Sequence, residues 1–372
     1  MRTAILSGAV PTDELGPFSM ARSAQDALDG LIAECEADVA CKGAFPKLRD
    51  EVAAVFQRVE REPVVVRLTD AETGKPVEIR LSKMGVAQTL RYMLYGTASA
   101  MLLPLNLHLA AQGDWKLMAE TARLNASNMG STADGYYLAI TCSEDLPFIR
   151  ESEVPAAVAG TFLGDFRIRK QQAACAAWPA AKLGREFLDP IVSDVPVLLI
   201  SGERDPVTPP SNGEHVARTL KNSRHIVVAD GGHSFNGIQG TECITNLMVS
   251  FVQSGKLEGL DTSCMARMKR PEFVLKVDPE VKLTADQLAR FQGSYKDAES
   301  GLGMKIDRIG EYLRVTIGVD PPLVLIPTGP ARFRVEGLPP GYAVTFQVSD
   351  GPATGAALEA PGQPTLTMKR ES

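Results

Sequence analysis

Two apolar runs with a helix between them fix the topology of the middle of this chain. Pro196-Val197-Leu198-Leu199-Ile200-Ser201-Gly202 and His225-Ile226-Val227-Val228-Ala229 lack the polar–apolar alternation of a half-exposed strand. Continuous apolar character fits strands covered on both faces, as in a parallel sheet. Asn212 to Leu220 reads as the helix between them. Strand, helix and strand make a βαβ unit, whose strands run parallel. A similar run at residues 2–10, closing on Pro11, predicts another strand buried on both faces.

Helical periodicity is predicted over Ser23 to Ala37, Pro46 to Val59 and residues 83 to about 128. Val64–Leu68 and Val77–Leu81, on either side of Asp70-Ala71-Glu72-Thr73-Gly74-Lys75, read as a hairpin. Beyond Pro271 the character changes. Leu283 to Tyr295 reads as a helix opened by Thr284. After it, 304–307, 312–317, 323–326, 331–335, 343–348 and 365–368 read as short strands between Gly and Pro turns.

The 372 residues carry 39 basic and 45 acidic side chains, a net charge of −6. No basic stripe with interleaved aromatics is present, which argues against a nucleic-acid partner. No stretch reaches the ~18 apolar residues of a membrane span, and the first residues lack the pattern of a secretory signal. Six cysteines fall into locally compatible pairs, Cys35 with Cys41, Cys142 with Cys175 and Cys243 with Cys264, although connectivity is not fixed by sequence. An even, paired set predicts disulfides and an oxidising compartment. Neither cysteines nor histidines fall at zinc spacing, so no metal and no cofactor are expected.

Reactive groups of open parallel sheets lie in loops beyond the carboxyl ends of the strands. Asp205 and His233 both occupy such loops, after successive strands. A carboxylate that accepts from one imidazole nitrogen fixes the tautomer and leaves the other nitrogen to take a proton from a nucleophile.

Gly202-Glu203-Arg204-Asp205-Pro206-Val207-Thr208-Pro209 and Gly231-Gly232-His233-Ser234 resemble the terminal part of an α/β-hydrolase, of the tripeptidyl aminopeptidase and proline iminopeptidase kind. The resemblance extends through Arg2–Pro11, Thr141-Cys142-Ser143-Glu144-Asp145 and Cys175-Ala176-Ala177-Trp178-Pro179 to Pro271-Glu272-Phe273. It implies a partial α/β-hydrolase fold, with core residues 1–15 and 190–275, a mostly helical cap with a β-hairpin over 16–189, and an appended all-β domain over 280–372. It also implies that Asp205 and His233 are triad members. Glu144 and Asp145, in the cap segment, are candidates to bind a substrate's free amine; a solvated acidic pair is the competing reading. Because many relatives are secreted, the parent protein is expected to be secreted or periplasmic.

The sequence departs from this pattern in its nucleophile. The family's serine stands on a Gly-x-Ser-x-Gly elbow, and no such pentapeptide occurs here. Ser7, near the end of its strand, is the best substitute, with Ser131 and Ser201 less well placed still. The earlier strands, the oxyanion loop and the serine would then precede Met1, as if an internal codon had been read as the start. A sheet lacking those strands would expose the edge at Arg2–Val10, predicting self-association or pairing with an N-terminal half-chain. The expected activity is that of a serine peptidase of aminopeptidase type acting on a peptide or ester, inactive as it stands. The alternative is a non-catalytic binding or scaffolding remnant.

Overall fold

The computed structural model describes residues 1–129 and 133–371. Strand β1 is Ala4–Ser7, β2 Val64–Thr69, β3 Pro76–Leu81, β4 Val197–Gly202 and β5 Ser223–Val228. β2 and β3 form the expected antiparallel hairpin. β1, β4 and β5 form a three-stranded sheet in that order, with both pairings parallel. The helix Pro210–Ala217 connects β4 to β5, so the βαβ reading stands.

Every residue of β4 is buried. Side chains alternate across a strand. Leu198 and Ile200 therefore join Ile226, Val228, Leu247 and Phe251 in one cluster, while Val197 and Leu199 join Leu220 in another. β1 corrects an expectation, because it is not buried on both faces: Leu6 and Ser7 are exposed. It lies at the sheet edge and pairs only with β4 among the described residues.

The chain divides into two compact units. One holds Met1–Ala37, Leu90–Ala100 and the stretch that ends at Pro271, and so contains this sheet. Its long helix Gly16–Ala37 buries Ala21, Ala24, Leu28, Leu31, Ile32 and Cys35, which recur at helical spacing. Two disulfides lie in this unit, Cys142–Cys175 and Cys243–Cys264, with Cα separations of 5.3 and 5.8 Å. Cys35 and Cys41 are disulfide-bonded as well.

The other unit holds Asp38–Thr89, the helices that follow from Met101, and everything from Glu272 on. Its C-terminal part is a closed barrel of β6 (Gly293–Asp297), β7 (Gly303–Ile309), β8 (Tyr312–Ile317), β9 (Leu323–Pro327), β10 (Arg332–Val335), β11 (Ala343–Gln347), β12 (Gly355–Glu359) and β13 (Leu366–Arg370). All neighbours are antiparallel, and β6 pairs with β13 to close it. An eight-stranded barrel has an interior just wide enough to be filled by side chains. Here Phe291, Tyr295, Phe333 and Phe346 fill it, with ring centroids 4.8 to 5.6 Å apart.

The helix expected over 283–295 is shorter. Thr284 does open it with a capping box, but it spans Ala285–Ala289, and Tyr295 belongs to β6. Tyr295 is fully enclosed in the barrel core, which overrides local helical preference. In the same unit Glu120, fully buried, takes a two-pronged bond from Arg334 at 2.8 and 3.0 Å. No helix among the described residues is long and apolar enough to cross a membrane.

Candidate active site

Asp205 lies just beyond β4 and His233 beyond β5, at the carboxyl ends of parallel strands. The structure brings them together: His233 Nδ1 is 2.9 Å from Asp205 Oδ2. Asp205 is 3% exposed and its acceptor capacity is filled. Its Oδ1 accepts from the backbone N–H groups of Val207 and Thr208 at 2.8 and 2.9 Å, and Oδ2 accepts from Thr208 Oγ1 at 2.7 Å. Burial pushes this carboxyl's pKa up, but the bond and charge of His233 and the Thr208 donors together outweigh it and hold the pKa below the usual value. Asp205 is thus an ionised, fixed acceptor for Nδ1–H, and that leaves Nε2 free to accept a proton.

Gly8, one residue past β1, lies against this pair. A Cβ there would fall 2.8 Å from Thr208 Oγ1 and 3.4 Å from His233 Cε1, and its φ of +64° is the left-handed region that favours glycine. The end of the edge strand therefore abuts the imidazole. On the other side, the loop after β5 is laced to residues 95–98. Ser234 N donates to the Tyr95 carbonyl at 2.8 Å, Ala98 N to the Asn236 carbonyl at 3.0 Å, and Thr97 Oγ1 to the Asp230 carbonyl at 3.1 Å. The Tyr95 ring meets His233 edge-on, with centroids 5.2 Å apart. Arg204 ties the same loop down through ion pairs with Glu34 and Asp230.

The other sequence candidates have partners or settings of their own. Asp145 Oδ1 accepts from Gly16 N at 3.3 Å at the start of the helix Gly16–Ala37. Burial, with Glu144 and Glu14 adding to it, raises its pKa against the lowering effect of that bond. Ser7 is exposed at the end of β1. Ser201 is buried, with its Oγ 2.9 Å from His225 Nε2, a different histidine. Ser131 lies outside the described residues. Sequence reasoning gave no role to Thr208, Gly8 or Tyr95. Only Thr208 left a signal, as a hydroxyl three residues after an aspartate, the spacing of a local side-chain turn.

Residues 160–264 match the family described as TAP-like protein. Among curated proteins, a pimeloyl-[acyl-carrier protein] methyl ester esterase of Neisseria meningitidis serogroup A is 38% identical over 95 residues, 24% of this chain and 30% of the relative. An esterase of the same description from serogroup B is 41% identical over 71 residues, 19% of this chain and 26% of the relative. The matched stretches thus span under a third of these relatives' length. Together these similarities support an α/β-hydrolase, and the closed all-β barrel is consistent with a domain appended to it.

Proposed function

We propose that the chain supplies the acid–base part of a serine hydrolase of peptidase type, acting on a peptide or ester bond. The observation that carries this reading is the 2.9 Å contact from His233 Nδ1 to a buried, ionised Asp205, with Nε2 unengaged among the described residues. In the reaction, a serine hydroxyl attacks the substrate carbonyl and passes its proton to Nε2, while Asp205 stabilises the imidazolium. The imidazolium then protonates the leaving amine or alcohol as the acyl-serine forms. Water, giving a proton to Nε2, attacks the acyl group, and that proton returns to serine as the acid leaves.

The serine is not met beside Nε2 among the described residues, so the chain alone is inactive on this reading. It is supplied by a polypeptide segment that lays a parallel strand along the open edge of β1, whose end abuts His233. An apolar groove of about 470 Å³ runs along that edge, lined by Leu6, Val10, Ile191, Val195 and Val216. Unpaired edges of this kind are templates for another strand. The disulfides are compatible with a secreted or periplasmic setting.

Fluorophosphonate labelling tests the reading, because the probe reacts only with an activated serine. The chain alone should stay unlabelled, and adding the complementary strand-bearing segment should produce labelling that His233→Ala lowers ~10³-fold or more. Labelling of Ser7 in the chain alone would place the nucleophile here instead. Full labelling in His233→Ala would remove His233 from the chemistry and leave a binding role.

A further inference from the structure

Arg91 is 4% exposed, the only arginine among the described residues to be so fully buried. Elsewhere in the chain, enclosed arginines meet carboxylates: Arg204 meets Glu34 and Asp230, and Arg334 meets Glu120. Arg91 meets none among the described residues. Its Nη2 donates to Tyr95 Oη at 2.5 Å and approaches Met20 Sδ at 3.6 Å, its guanidinium lies 5.0 Å from the Tyr95 ring centroid, and its Nε is enclosed without a partner. Arg167, half-buried, has a similar tyrosine partner. Its Nη2 donates to Tyr137 Oη, its guanidinium lies 5.0 Å from that ring, its Nε is also enclosed without a partner, and among the described residues no carboxylate pairs with it.

A guanidinium cannot shed its proton, so a buried one without a counter-ion is costly unless an anion arrives. Arg91 acts directly on Tyr95, whose phenol burial keeps protonated. With its oxygen already accepting from Arg91, Tyr95 has its own O–H left to donate. The same ring touches His233. The Arg91 charge and a free phenolic donor therefore lie together beside the proposed general base.

We propose that Arg91 and Tyr95 form a subsite for a carboxylate carried by the substrate close to its scissile bond. The planar, two-donor face of arginine suits a carboxylate. This rests on the hydrolase reading for its meaning, but the subsite can be tested without turnover.

The test titrates the full chain with monomethyl glutarate, which bears one ester and one carboxylate, and with neutral dimethyl glutarate. The imidazole signal of His233, assigned with His233→Asn, is followed by NMR. The half-ester should shift that signal saturably and bind at least tenfold more tightly than the diester. Arg91→Gln should remove this preference, Arg91→Lys should keep part of it, and Tyr95→Phe, which removes the phenolic donor, should reduce it if Arg91→Gln does not fold. His233→Asn, followed through the Tyr95 signal, should still prefer the half-ester over the diester, so anion binding is read apart from the acid–base role of His233. Equal binding of both probes, no binding of either, or a folded Arg91→Gln with the preference intact would overturn the proposal.

Discussion

Thr208 Oγ1 is wedged between the two members of the acid–base pair, donating to Asp205 Oδ2 at 2.7 Å while lying 3.3 Å from His233 Nδ1. The hydroxyl fixes the carboxylate plane, and the carboxylate fixes the ring. The pair is therefore built by the loops after β4 and β5 and owes little to a substrate.

That wiring gives Asp205 a pH signature. Its folded pKa lies below the unfolded value, so its stabilisation is fully present above about pH 4 and is lost as pH falls through the lower native value. Urea unfolding followed from pH 6 to pH 2 should show a steeper loss of stability in the parent than in Asp205→Asn. Parallel curves would mean that the carboxylate gains nothing from folding. Thr208→Val, which removes one donor to it, should cost about 1 kcal/mol at pH 7.

In the barrel-containing unit, Glu120→Ala leaves Arg334 enclosed without its carboxylate and should cost about 3–5 kcal/mol. Replacing both residues by methionine should recover most of that loss. Thermal melts of the three variants are the measurement, and a double variant no better than Glu120→Ala would show that packing, not charge, carries the effect.

Cys142–Cys175 closes a separation of 33 residues. Replacing both cysteines with serine should lower stability by about 2–4 kcal/mol. Guanidinium denaturation with and without reductant checks this, since reductant should no longer act at this bridge in the variant.

The edge of β1 should make the isolated chain associate. Leu6→Lys puts a charge on an exposed, apolar edge position. Sedimentation velocity should show the parent forming concentration-dependent oligomers and the variant shifted toward monomer. A parent that stays monomeric at high concentration would remove the edge as an adhesive surface.

Much of the arrangement around His233 was legible from the sequence, because apolar strands such as Val197–Gly202 announce a parallel sheet and chemistry gathers at strand ends. The Asp-Pro-Val-Thr turn is likewise local, and its hydrogen bonds run between residues two and three apart. What could not be read depends on contacts between distant segments. Tyr95 reaches His233 only because residues 95–98 run beside the loop after β5. Arg91 reads in the sequence as an ordinary helical arginine, and its burial comes from tertiary packing. The failure at 283–295 has the same origin, since the demand for Tyr295 in the barrel interior outweighs the helical pattern before it. β12 was missed because Gly355-Ala356-Ala357 has little strand preference of its own and is held by β11 and β13 on either side.

The seam between β6 and β13 bears on how the protein is made. The first strand of the barrel has no lasting partner on one flank until Leu366–Arg370 has been synthesised. This part of the polypeptide cannot mature stepwise behind the ribosome; its ring closes late, and until then the nascent strands depend on delay or shielding to avoid pairing with strangers.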